Sequence, residues 1–209
     1  VQQALTIFRD QCRGVDWECN TAISAIAESL SWLGRINELR TLLPPWKRQA
    51  ERLGNVFAVV AAQLAYANIE LADGYPNAAR QSAREARRLW FKDTYTHQHW
   101  YADRIEISSD IYDGDIKSAE HRLDTTYRAL RSADLMRVQY VRINVLQLRA
   151  AIALAQARGF RAPILRRRAS LDANTLAKLG TPCAQGSTEL IFGVLATHHG
   201  RQEEALARF

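Results

Sequence analysis

The chain has 209 residues, 47% of them hydrophobic and 24% charged, a balance that fits a folded globular protein and excludes a disordered one. Its longest uncharged stretch, residues 53–69, contains Gly54, Asn55, Gln63 and Asn68 and is too polar and too short for a membrane-spanning helix. The formal net charge of +6 rests on 24 Arg against 4 Lys; it admits nucleic acid, an acidic protein surface or phosphate as a partner and selects none of them.

The predicted elements are all helices. Apolar periodicity and turn residues place them at about 1–12, 16–33, 35–53, 56–73, 76–91, 95–112, 115–132, 135–158, 162–179, 184–199 and 201–209. Pro44-Pro45 is expected to kink or interrupt the helix over 35–53. Pro76 and Pro163 favour the first turns of their helices, and Asp115 is the expected cap of the helix over 115–132. The stretch from Leu135 to Gly159 has good helix formers, no Pro and no internal Gly, which predicts one long helix.

Glycines punctuate this pattern at Gly34, Gly74, Gly114, Gly159 and Gly200, with spacings of 40, 40, 45 and 41. Five residues after each stands an apolar residue: Leu39, Ala79, Ala119, Ile164 and Ala205. A Gly ends a helix where the left-handed backbone costs it little, and a small residue one turn later lets two antiparallel helices approach closely. Long helices alternating with short turns predict stacked helical hairpins, each burying its neighbour's apolar face. The fold expected is all-α: an αα-superhelix of about five helix pairs of ~40 residues, forming one helical-repeat domain over 1–209. Val1 in place of Met, and a closing pattern GRQEEALARF that stops within a helix, predict a piece of a longer polypeptide. Cys12, Cys19 and Cys183 have no metal-binding spacing and are expected to be buried free thiols in a reducing, cytoplasmic setting. The absence of an Asn-X-Ser/Thr acceptor agrees with that setting.

At GYPNAARQSAREA and GDIKSAEHRLDTTYRAL the chain resembles a tetratricopeptide repeat, whose turn pairs Gly with a small residue one turn on. Seven before each Gly, where that family prefers a small residue, stand Ala27, Ala67, Ile107, Ile152 and Gly193; the family's usual Trp eleven before Gly is replaced by Ile23, Gln63, Asp103, Leu148 and Glu189. The period exceeds the family's usual length of about 34, so the likeness is to a long-helix variant, and HEAT-type pairing fits the period as well. The words CRGVDWECNTAISAIAESLSWLGRINELRTLLP and LMRVQYVRINVLQLRAAIALA resemble the C-terminal helical repeats of large bacterial serine/threonine kinases that also carry an ATPase module. Neither a glycine-rich phosphate loop nor His-Arg-Asp nor Asp-Phe-Gly occurs in the chain, so the resemblance implies a regulatory segment rather than a kinase domain.

In tetratricopeptide arrays the first helix of each pair lines a concave groove. The resemblance implies groove positions at Ser24, Glu28, Asn68, Tyr101, Arg104, Ser108, Tyr112, Arg149 and Gln156, with Ser187 and His198 in the last repeat. Tyr101, Arg104 and Ser108 also share a face by helical spacing alone, as do Arg142 and Arg149. Two arginines on so apolar a helix need water, a carboxylate or a ligand, so Arg142 and Arg149 face either the groove or the carboxylates of the acidic repeat. That repeat, residues 93–124, has eight acids and three basic residues (Arg104, Lys117 and Arg122), whereas residues 135–171 have eight arginines and no acid. The imbalance predicts either a basic docking patch or complementary neighbouring surfaces. His97 and His99 point apart on a helix, and Asp113-Gly-Asp115 lacks the further ligands of a calcium loop, so no metal site is expected. The five tryptophans are expected to be packing anchors. No cofactor and no nucleophile–base set is evident. The function expected is a non-catalytic module binding a peptide or partner domain, acidic or phosphorylated. A small-molecule-sensing superhelix and a basic nucleic-acid binder are the alternatives, the last ranking lower.

Overall fold

The computed structural model describes residues 1–209 as helices and turns without a strand. The eleven α-helices are α1 (Gln2–Gln11), α2 (Asp16–Trp32), α3 (Ile36–Arg52), α4 (Val56–Ala72), α5 (Pro76–Leu89), α6 (His97–Tyr112), α7 (Ile116–Ser132), α8 (Gln139–Ala155), α9 (Ala162–Ala177), α10 (Pro182–His198) and α11 (Gln202–Arg208). Short 3-10 turns, Leu135–Arg137 and Gly159–Arg161, precede α8 and α9. The chain packs as two compact units, Val1–Ser109 and Asp110–Phe209. No helix is long and apolar enough to cross a membrane.

Why the helices stop where they do follows from one repeated turn. At Gly34 the backbone φ is +66°; its N–H bonds the Ser31 carbonyl at 3.2 Å, and the next N–H, of Arg35, reaches back to the Leu30 carbonyl at 2.9 Å. The same pair of bonds closes the helices before Gly54, Gly74, Gly114 and Gly200. Only a left-handed residue brings the next N–H back onto carbonyls left unbonded by the last helical turn. Left-handed residues stand at 14, 34, 54, 74, 114, 134, 159, 180 and 200. The true punctuation therefore recurs about every 20 residues, once per helix, and the 40-residue period is its double. Asp134, φ +59°, takes the same conformation without glycine and makes the first of the two bonds, to the Arg131 carbonyl at 3.2 Å; Asp tolerates that conformation better than most residues. For that reason the single helix expected over 135–158 is instead a 3-10 turn, an extended Val138 and then α8, which ends at Ala155.

Each helix then buries one stripe. In α3 the stripe is Leu39, Leu43, Trp46 and Ala50, in α5 Ala79, Ser82, Ala83 and Ala86, and in α7 Ala119, Leu123, Thr126 and Leu130. Complete burial of Leu39 and Leu43 contributes on the order of 1.5–3 kcal/mol each. Of the two outcomes expected at Pro44-Pro45, a kink or an interruption, the interruption does not occur: α3 runs unbroken through both prolines. Pro44 is half-buried and Pro45 exposed, and the buried Leu43 and Trp46 on either side hold the helix through the missing bonds. Small residues in α4, among them Ala58, Ala62, Ala65 and Ala67, allow close packing. In the first unit each helix from α1 to α5 packs on the next and α2 also packs on α4; in the second, α7 to α11 do the same and α8 packs on α10. Arg84–Glu106 and Arg87–Asp103 tie α5 to α6.

Four of the five apolar residues expected after the glycines are buried. The exception is Ile164, 72% exposed. The 3-10 turn at Gly159 consumes one extra residue, so the α9 stripe runs through half-buried Leu165 and buried Ala169, Asp172 and Leu176, one place later than in α3 or α7. Cys12 and Cys183 are exposed and Cys19 half-buried, all unbonded. The expectation of buried thiols fails because Cys12 follows the end of α1 and Cys183 lies in the first turn of α10.

Candidate functional site

The first unit contains a pocket of about 410 Å³ between α2, α4 and α6. Its walls follow from register. Counting back from Gly34, Gly74 and Gly114, the residues seventeen before are Trp17, Phe57 and His97, and those ten before are Ser24, Leu64 and Arg104. All six line the pocket, as do Ala61, Tyr101, Glu28 and Asn68. The three helices have nearly equal length and end in the same glycine turn, so equivalent positions come side by side.

The mouth is aromatic. Trp17 leans on Phe57 with centroids 4.7 Å apart, and Phe57 meets Trp90 edge-on at 6.4 Å. Trp90 comes from the one connection without a left-handed residue, residues 90–96, where the 20-residue spacing would put one near 94. Hydrogen bonds hold this strap. The Trp90 indole donates to Thr96 Oγ1 at 2.9 Å, the Thr96 N–H donates to His99 Nδ1 at 3.1 Å, and the Tyr95 hydroxyl donates to Asp103 at 2.6 Å. Arg87 donates to the same carboxylate. Burial and the adjacent Asp103 charge raise the Tyr95 phenol pKa far above its ordinary value, so Tyr95 stays a donor. Burial lowers the His97 pKa; burial first, then the Arg87 charge, lowers that of His99. An accepting Nδ1 gives His99 the neutral tautomer with its proton on Nε2.

The floor is polar and internally matched. Arg104 donates to Asn68 Oδ1 at 3.2 Å, lies 4.0 Å from the Glu28 carboxylate, and stacks over the Tyr101 ring at 5.8 Å. Glu28 accepts from the Trp32 indole at 2.9 Å. A ligand there meets a guanidinium already oriented on three sides, beside a carboxylate that offsets its charge.

Of the residues expected in a groove, Ser24, Glu28, Asn68, Tyr101 and Arg104 are brought together here. Ser108, half-buried, and Tyr112, exposed, continue along α6 outside this lining. In the second unit Arg142 is exposed on α8. Arg149 makes a bidentate pair with Asp172 of α9, its Nε 2.8 Å from Oδ2. Its partner is therefore neither a groove ligand nor the acidic repeat, because the register shift in α9 sets Asp172 in the buried stripe opposite it. Gln156 donates to Glu120 at 2.8 Å. Ser187 is buried and His198 exposed. The acidic repeat pairs instead with arginines outside the basic run: Asp103 with Arg87, Glu106 with Arg84 and Asp110 with Arg122. Trp46 and Trp100 are packing anchors, 4% and 0% exposed, but Trp17 is 61% exposed and belongs to the pocket mouth. Trp17, Phe57, Trp90 and His97 line the pocket although none was expected in a groove. The signal was present one helical turn before the first groove position considered, as an aromatic in three successive repeats.

No group of three or more His, Cys, Asp or Glu side chains is placed to hold a metal ion. No protein-family description, curated protein or solved structure matches this chain.

Proposed function

We propose that this chain is a tetratricopeptide-like recognition module without catalysis of its own, built as an αα-solenoid. Its first unit binds a peptide or partner domain by taking a bulky apolar side chain into the pocket. The observation that carries this reading is the aromatic mouth of Trp17, Phe57 and Trp90 above a preset Arg104–Asn68–Glu28 floor. Aromatic anchors around an oriented Arg are the usual composition of binding hot spots. By the resemblance to kinase-associated repeats, the module would serve a cytoplasmic bacterial signalling chain. The pocket volume of about 410 Å³ also falls in the range of small-molecule sites, which supports a metabolite sensor as the second reading.

Peptide selection from a random displayed library against the intact chain tests the proposal. Selected peptides should share an aromatic or large aliphatic residue and bind the Trp17→Ala variant about tenfold more weakly, with an unchanged melting temperature. Peptides that bind Trp17→Ala and Arg104→Gln as well as the parent refute it. Thermal stabilisation by a nucleotide or sugar, absent in the same variants, replaces it by the second reading.

A further inference from the structure

The second unit has a separate and more open cleft of about 870 Å³ at the turns, where the start of α7, the end of α8, the Gly159–Arg161 turn and α9 converge. Four cations line it: Lys117, Arg158, Arg161 and Arg168. Elsewhere in this chain arginines near carboxylates pair with them, as Arg84, Arg87, Arg122 and Arg149 do. These four make no ion pair and no side-chain hydrogen bond; Arg161 only leans over the Phe160 ring, at 6.0 Å. The two carboxylates in the lining are already engaged: Asp115 caps α7 by accepting the Ser118 N–H at 3.2 Å, and Glu120 accepts from Gln156. Among the cations stand the most exposed large apolar side chain of the chain, Phe160 at 90%, and Ile164 at 72%. Ile164 is there because the extra residue in the preceding turn rotates it out of the stripe that its counterparts Leu39, Ala79 and Ala119 occupy. Exposed apolar groups rimmed by unpaired charge mark an interaction site.

We propose that this cleft docks a carboxylate-rich peptide segment that carries one bulky apolar side chain. The apolar side chain packs on Phe160 and Ile164, and the carboxylates meet Lys117, Arg158, Arg161 and Arg168. The cations come from three separate places in the fold, the first turn of α7, the turn before α9 and α9 itself, which suits several carboxylates spread along a segment better than one dianionic phosphate, for which they would converge. A single aromatic beside an aliphatic residue is a poor stacking platform for successive bases. A concave surface does not lie flat on a bilayer. The proposal is independent of the first unit's pocket.

The test uses the intact chain and a fluorescent synthetic peptide of Asp and Glu around one central Phe, read by anisotropy. Binding is expected at low salt and should weaken as salt rises. It should fall roughly tenfold or more in Arg158→Glu/Arg161→Glu, and several-fold in Phe160→Ala. Replacing the peptide's acids by Asn and Gln should abolish it. All three positions are exposed, and matching thermal melts establish that the variants are folded. No binding at low salt, or equal binding to every variant, overturns the proposal. So does tighter, variant-sensitive binding of a single-stranded oligonucleotide, a phosphorylated Asp/Glu-free peptide or phosphatidylserine vesicles.

Discussion

Consider removal of the guanidinium that faces Asp172. The Asp172 side chain is 4% exposed and its Arg149 partner 33%. In Arg149→Met the carboxylate keeps its buried place but loses two charge-assisted hydrogen bonds. Stripping one partner from a buried pair costs roughly 3–5 kcal/mol, because the other charge is stranded. Water already reaches a third of the arginine side chain, so the lower end, about 3 kcal/mol, is expected. Asp172→Leu leaves an arginine that can still reach water along its flexible stem and costs about 1–2 kcal/mol. The double variant Arg149→Met/Asp172→Leu removes both charges from an apolar interface and should lie within about 1 kcal/mol of the parent. Urea unfolding of the four proteins gives the cycle. All five tryptophans lie in the first unit, so far-UV circular dichroism is the readout, not tryptophan fluorescence. Additive losses in the double variant would show that the two side chains are not coupled and that the reasoning fails. The same numbers bear on function. Arg149→Glu would set two carboxylates against each other in the α8–α9 interface, and any lost binding in that variant would report unfolding.

Gly114→Ala should cost about 1 kcal/mol, wholly through the backbone, since φ is +77° and an added Cβ meets nothing within 4 Å; Gly114→Asn should cost less by chemical denaturation, and equal losses would contradict the turn argument. Acidification should destabilise the first unit. The folded-state pKa values of His97 and His99 are lowered, so the unfolded chain binds more protons below its ordinary His pKa. Stability is then full above about pH 6.5 and falls as the pH drops through the window beneath it. His97→Gln should flatten the profile of fluorescence-detected melting temperature between about pH 7.5 and 5.5, and an unchanged slope would exclude His97 as a source. Tyr95→Phe should cost about 1.5–3 kcal/mol, as expected for a hydrogen bond to a charged acceptor, and speed amide exchange in residues 91–96 before α6; uniform loss of protection would mean the strap does not open separately.

Helix number and most helix ends were legible in the sequence because the left-handed glycine turn is a local event: Gly34, Gly74, Gly114 and Gly200 announce it through residue type alone. Where another residue took the same conformation, as at Asp134, the boundary was missed, because Asp occurs in many other settings. The continuity of α3 through Pro44-Pro45 was not legible for a different reason: a helix whose Leu43 and Trp46 are buried is held by tertiary packing that propensity does not describe. The pocket was half legible. Ser24, Glu28, Asn68, Tyr101 and Arg104 could be assigned by register because α2, α4 and α6 have nearly equal lengths. Arg149 could not, since its partner depends on a one-residue shift in α9 that only the geometry of Gly159–Arg161 sets.

Both candidate sites arise where the 20-residue rule fails. A strictly periodic array of equal helices and identical turns buries every stripe against the next. Replacing the turn near residue 94 by the strap Trp90–Thr96 opens space between α4 and α6, and Trp90 then walls the space that opens. The 3-10 turn that begins at Gly159 takes up one extra residue and shifts α9 by one position, which at once buries Asp172 against Arg149 and turns Ile164 outward beside Phe160. The two departures have opposite local consequences, an enclosed aromatic pocket in one unit and an open cationic cleft in the other. Each is costly in regular packing: the first gives up a turn whose hydrogen bonds are built in, and the second exposes two large apolar side chains. Departures of that kind persist in proteins chiefly at places that bind something. Restoring the period is therefore a direct trial of the idea. Deleting one residue from the 156–161 connection should return Ile164 to the stripe and remove Asp172 from it, raising stability once Arg149 is made Met while abolishing binding of the acidic peptide. A deletion variant that gains stability and keeps that binding would separate the cleft from the irregularity said to create it.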